Sequence, residues 1–156
     1  MKGIIRCVAL VLLIAAIPFA AHAGKGKSIG KDSGIIPAHL EEMPGSELKK
    51  VTFTADAAER VGLELDAVKE MQVPPKRKAS GKVLRKVVPY ASILYTPDGR
   101  EWVYTSPENL TYVRHEIKIV YIDGDIAVLS EGPAAGTQVV TIGAAEVYGA
   151  EFEVGH

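Results

Sequence analysis

Between residues 111 and 121 the side chains change character at nearly every position. Val113, His115, Ile117, Ile119 and Tyr121 share one parity, and Tyr112, Arg114, Glu116 and Lys118 share the other. Successive side chains of an extended chain point to opposite faces, so this alternation can be sorted into two faces only by a β-strand. The reading sets the first group against a core and the second toward water.

The surrounding sequence is punctuated for a sheet. Thr96-Pro97-Asp98-Gly99-Arg100 is a tight-turn signature, with Pro97 presetting φ and Gly99 supplying φ > 0; it joins extended runs at 90–95 and 101–105 into a hairpin. Asp123-Gly124 turns the chain again, into a return strand at 126–129. Further extended runs are read at 51–53, 63–68, 82–88 and 137–142, with a loop at 132–136 and at most one helical turn at 144–148. One helix has start and stop signals. Thr54 is a good N-cap, Asp56 suits the first turn, and Gly62 is placed to end the segment Ala55–Val61 in a left-handed conformation. The expected fold is therefore mainly β: a small antiparallel β-barrel or roll with one short helix, beginning near Lys50.

Upstream of Lys50 the chain reads differently. Met1, Lys2 and Arg6 precede an apolar run at 7–17, followed by Pro18 and the small-x-small triplet Ala21-His22-Ala23. That is the three-part pattern of a cleavable signal peptide over 1–23, and the run is too short for a spanning helix of about 20 apolar residues. Residues 24–49 read as a flexible leader interrupted by Pro37 and Pro44. Cleavage would remove Cys7, the one cysteine, and shift the net charge from −1 to −3 by removing Lys2 and Arg6. Neither thiolate chemistry nor the basic balance of a nucleic-acid binder fits such a chain. The expectation is a periplasmic protein, exported and then not membrane-spanning, with one domain over 50–156.

Motifs for chemistry are sparse. The sequence has no Gly-rich phosphate loop, no nucleophile elbow and no paired zinc histidines. Of His39, His115 and His156, none pairs with a second ligand four residues away, and His115 reads as a structural histidine on an apolar strand face. Met43 and Met71 are isolated, where a soft metal site wants a cluster. Asp123 and Asp125 are accounted for by their turn, and Lys76-Arg77-Lys78 by a solvated loop. Trp102 and Tyr104 share a face and read as cross-strand packing. No catalytic residue, cofactor or metal ligand is expected.

A run of ordered motifs resembles one protein family. Val88-Pro89-Tyr90-Ala91-Ser92-Ile93-Leu94-Tyr95 is similar to the strand that opens the membrane-proximal part of periplasmic adaptor subunits, the membrane fusion proteins of resistance-nodulation-division efflux transporters. Pro97-Asp98-Gly99, Trp102-Val103-Tyr104, Tyr112-Val113-Arg114-His115-Glu116-Ile117 and the stretch 127–140 closed by Gly143 resemble the succeeding family segments in order. Upstream, 51–63 and 79–83 resemble the start of that domain and the exit from it. Adaptors insert a lipoyl-like domain and a helical hairpin at this exit; here Gly81-Lys82-Val83 runs into Val88-Pro89 after four residues. What the resemblance implies is the transporter-proximal β-domain alone.

The functional expectation is a non-catalytic accessory of an efflux or export system. It would contact an inner-membrane transporter or a full-length adaptor through the turns holding Asp98, Gly99, Arg100, Gly132, Pro133 and Gly136. A periplasmic small-ligand or metal-binding module on the same barrel is the alternative. Without the lipoyl-like part the chain is expected to be a monomer or weak dimer, with strand edges near 68–73 and 82–88 left without neighbours.

Overall fold

The computed structural model describes residues 38–76 and 80–152. The expected signal peptide with Cys7, the leader as far as 37, Arg77 and Lys78 of the basic run, and His156 lie outside the described residues.

The chain forms β1 (Ala38–Glu42), β2 (Lys49–Phe53), α1 (Ala55–Val61), β3 (Glu64–Ala67), β4 (Lys69–Val73), β5 (Val83–Pro89), a 3-10 turn (Tyr90–Ser92), β6 (Leu94–Tyr95), β7 (Glu101–Glu108), β8 (Thr111–Asp123), β9 (Ile126–Glu131), β10 (Gln138–Ile142) and α2 (Ala144–Glu151). All strand pairs are antiparallel. The main path runs β3-β10-β7-β8-β9-β5-β4 and curls into a half-barrel. Its two ends are one stretch of chain, because only Val68 separates β3 from β4. The Val68 N–H donates to the Thr137 carbonyl and its carbonyl accepts from the Gly136 N–H, both at 2.8 Å. The mainly β expectation stands.

Two apolar cores lie on opposite faces of the same strands. Inside the curl, Val68, Val88, Val103, Ile117, Ala127, Leu129 and Val139 pack together. On the other parity, Tyr104, Tyr112 and Val140 pack against Val51 and Phe53 of β2, Ala57 and Ala58 of α1, and Ala144 and Val147 of α2. Phe53 and Tyr112 meet edge to face at 5.8 Å. A second layer, built from α1, α2 and the β1–β2 hairpin, thus covers the outer face of the sheet.

That layer corrects four expectations. Tyr112 and Arg114, assigned to solvent, are buried beneath it, while Glu116 and Lys118 further along β8 stay at the surface. His115, assigned to the core side, is exposed. The expected leader is already β-strand at 38–42. There β1 pairs with β2, and Pro44 with Gly45 (φ 76°) makes the turn between them, so Pro44 ends a strand instead of interrupting a tether. Finally, there are two helices. α1 matches its signals, with Thr54 Oγ1 accepting from the Ala57 N–H at 3.2 Å and Gly62 at φ 69°. α2 lacked them: Gly143 at its start offers no side-chain cap and Gly149 interrupts its middle. Along 90–95, only Leu94 and Tyr95 are strand, paired to Trp102 and Glu101. The segments 69–73 and 83–87, expected to lack neighbours, pair with each other, and β5 also pairs with β9.

Candidate functional site

The turn at 96–100 is locked by its own side chains. The Gly99 N–H donates to the Thr96 carbonyl at 2.9 Å and the Thr96 N–H to the Arg100 carbonyl at 3.0 Å. Thr96 Oγ1 donates to one Asp98 carboxylate oxygen and Arg100 Nε to the other. These two bonds, that from Thr96 first, hold the Asp98 carboxyl down at about 2. Gly99 adopts φ 79°, which its lack of a Cβ permits.

Beside the turn stands an aromatic–guanidinium stack. Trp102 is buried and donates from Nε1 to Thr96 Oγ1 at 3.2 Å. The Arg100 guanidinium lies 5.0 Å from its ring centroid and that of Arg114 4.6 Å. The parity of the β7–β8 register puts Arg100, Trp102, Tyr104, Arg114 and Glu116 on one face, with Tyr104 opposite Arg114 and Trp102 opposite Glu116. Arg114 is held from below. Its Nε reaches the Glu151 carboxylate at 2.9–3.0 Å, and its guanidinium lies 4.8 Å from the Phe152 ring centroid. The Tyr104 hydroxyl donates to the same carboxylate. Burial, and then this bond, raise the Tyr104 phenol well above its ordinary value. Glu151 is 1% exposed, so the last turn of α2 is tied to the sheet through a buried ion pair.

Two shallow grooves, of about 450 and 360 Å³, meet over this stack. Arg100, Arg114 and Glu47 line both; Asp98 and Phe152 close one, His115 and Glu116 the other. His115 is exposed here; desolvation and the nearby Lys86 charge hold its imidazole below the ordinary histidine value.

The second expected loop lies across β8. Glu101 pairs with Ile117 on one side of that strand, and Lys118 with Glu131 on the other. The two loops therefore flank β8 at one level, roughly 10 Å apart by strand spacing. Gly132 is half-buried, and a Cβ there would come within 2.9 Å of Leu129 Cδ1 and 3.3 Å of Ile117 Cγ2. Its carbonyl accepts from the Lys86 ammonium. Pro133 is buried, so of the three named positions Gly136 is the exposed one. Asp98, Gly99 and Arg100 are all exposed.

The structure thus joins Asp98, Gly99 and Arg100 to Trp102, Arg114 and Glu47, and keeps the 132–136 loop on the far side of β8. Arg114 and Glu151 were missed. Arg114 sat on the parity read as solvent, and Glu151 lay beyond the one turn of helix expected at 144–148. Met43 sits in the β1–β2 turn, Met71 is exposed on β4, and Asp123 and Asp125 are exposed in the β8–β9 turn. Among the described residues no three His, Cys, Asp or Glu side chains are grouped to hold a metal ion, and no helix is long and apolar enough to cross a membrane. Compared with family models, curated proteins and solved structures, the chain gives no match.

Proposed function

We propose that this chain is a non-catalytic periplasmic accessory of an efflux or export system, which docks on the periplasmic part of an inner-membrane transporter or on a full-length adaptor. The observation that carries the reading is the set of internal hydrogen bonds of the 96–100 turn beside the Arg100–Trp102–Arg114 stack. An exposed turn whose side chains are already bonded to one another loses little conformational freedom on binding. Arginine and aromatic side chains set on rigid strands are the residue types that dominate protein–protein contacts. The order of the adaptor-like segments adds support, since 51–63, 88–104, 112–117 and 127–143 all contribute strands or helix to one curled sheet and its cover.

The test is crosslinking in intact envelopes of the native host, followed by recovery of the tagged chain. The native chain should bring down a transport component, and Arg100→Ala with Asp98→Ala should reduce that recovery several-fold while leaving the melting curve cooperative. Recovery of no transport component by the native chain, or undiminished recovery by the double variant, overturns the reading.

A further inference from the structure

The outer layer packs on Tyr104, Tyr112 and Val140 and stops there. Beyond it, the face of β4, β5 and β9 turned away from the inner core carries a separate small cluster, Val73, Val87 and Val128, with Tyr121 and Ile126 against it. Direct strand pairs fix which side chains share this face: Met71 with Arg85, Val73 with Val83, Val87 with Val128, and Val128 with Tyr121. Leu84 and Lys86 take the other parity of β5, and Glu70 and Glu131 the other parity of β4 and β9. The outer face of these three strands therefore holds an arginine among valines and no acid.

A groove of about 240 Å³ lies on this face. Val83, Val120, Val128, Pro74, Pro75 and Tyr121 line it, and Arg85 and Lys76 are its two charged groups. The Tyr121 hydroxyl donates to the Pro74 carbonyl at 2.5 Å, which ties the segment after β4 to β8 and fixes one side of the groove. That bond also spends the phenol proton, so the cations are left as the groove's strong donors. Arg85 and Lys76 are exposed and make no ion pair among the described residues.

We infer that this groove is a binding site for a small monocarboxylate with an apolar body, of the aryl- or short alkyl-carboxylate class. Ligand sites pair an apolar lining with a few polar groups that fix orientation, and the groove has that division. The valines, prolines and the Tyr121 ring take the apolar body. The Arg85 guanidinium offers a planar fork that matches a carboxylate in two parallel hydrogen bonds, and Lys76 adds a second positive charge. Its volume is below the roughly 300 Å³ at which sites for drug-sized ligands begin, which sets the ligand class as small. Proline and lysine at a sheet edge also block pairing between chains, and that accounts for Pro74, Pro75 and Lys76. It does not account for Arg85, which stands inside β5 between Val83 and Val87 with no carboxylate on its face of the hairpin.

Nuclear magnetic resonance titration of the purified full chain tests the inference, with phenylacetate as probe and phenylacetamide as its uncharged match in shape. A ligand of this size should bind with a dissociation constant of about 1 mM. Phenylacetate should show nuclear Overhauser contacts from its ring to that of Tyr121, and phenylacetamide should bind about tenfold more weakly. Arg85→Gln should weaken phenylacetate about tenfold while leaving the melting curve cooperative, since Arg85 is exposed. Arg85→Lys keeps the charge without the fork and should fall between. Arg60→Gln, the same change of charge on α1, should leave affinity within about twofold. Equal affinity for the anion and the amide overturns the inference, as does an Arg85→Gln variant that binds as the native chain does. Failure of phenylacetate to saturate the native chain below about 20 mM overturns it too. Binding lost in Arg100→Gln and kept in Arg85→Gln places the probe beside Trp102 and likewise overturns it. The transporter-docking proposal stands or falls separately, on Asp98 and Arg100.

Discussion

Replacing Glu151 by glutamine removes one charge and almost no volume. The native carboxylate accepts from Arg114 Nε at 2.9–3.0 Å and from the Tyr104 hydroxyl, at a position 1% exposed. After the change Arg114, itself 8% exposed, faces an amide in place of a counter-ion. Removing one partner of a buried pair costs about 3–5 kcal/mol, because the other charge is left uncompensated away from water. The rings of Trp102 and Phe152, 4.6 and 4.8 Å from the guanidinium, offset part of that, each by about 1 kcal/mol. The expected loss is then about 1–3 kcal/mol. For a domain of this size 1 kcal/mol moves the melting temperature by about 4 °C, so the shift should be roughly 4–12 °C downward.

The assay is a thermal melt followed by near-ultraviolet circular dichroism and by fluorescence. Trp102 is the one tryptophan of the sequence, so its emission reports this cluster directly. The control is the double variant Arg114→Met with Glu151→Leu, which replaces the pair by apolar side chains of similar size. Such exchanges are often neutral or stabilising, so the double variant should melt well above Glu151→Gln. A shift below about 3 °C for the single variant would show that the charge is not buried as described. A double variant as unstable as the single one would show that shape, and not the unpaired charge, sets the cost.

Gly143→Ala should destabilise by about 2–4 kcal/mol in chemical denaturation, since a Cβ there would lie 2.2 Å from Leu63 Cδ2 and 2.9 Å from Val61 Cγ1, at φ 87°. Asp98 has its carboxyl lowered from 3.8 to about 2, so its contribution is complete above pH 4 and disappears as pH falls through about 2; the denaturation midpoints of native and Asp98→Asn should differ at pH 5 and converge near pH 2. Copper, zinc or silver should leave the melting temperature unmoved, whereas a specific ligand at a hundred times its dissociation constant would add about 2.7 kcal/mol. Light scattering at micromolar concentration should give a monomer or weak dimer, and a stable hexamer would show that this β-domain suffices for ring assembly.

How much of this the sequence discloses depends on how local each signal is. The capping threonine and terminal glycine of α1, the 96–100 turn and the Asp123-Gly124 turn are set by backbone preferences within a few residues, and the structure has them where the residues indicate. The β1–β2 hairpin has a turn signal just as local, Pro44-Gly45. Its strand 38–42 buries little, however, with only Ala38 and Leu40 partly covered, so no alternation marks it. α2 is stabilised by what it touches: Val147 and Ala144 in the outer core and Glu151 on Arg114, none of which is a feature of the helix alone.

The parity error in β8 has the same physical source. Alternation identifies a strand by showing that its two faces differ, and it leaves open which face is dry. In a single curled sheet the odd parity of β8 would be inside and the even parity wet, and from Glu116 onward that is close to what is seen. Over 111–114 the even face is roofed by α1, α2 and β2, so Tyr112 and Arg114 are buried although an arginine ordinarily signals solvent. A buried arginine needs a carboxylate, and the carboxylate is 37 residues away at the end of a weakly signalled helix. The ion pair, the stacked tryptophan and the groove above them therefore form only once the second layer is in place. For that reason the proposed docking surface rests on α2 as much as on the turn, and the melting behaviour of Glu151→Gln bears on function as well as on stability. If the roof over β8 loosens, Trp102 loses one of its two guanidinium neighbours and the turn at 96–100 keeps only its own internal hydrogen bonds. Envelope crosslinking of that variant should then fall even though Asp98 and Arg100 are intact.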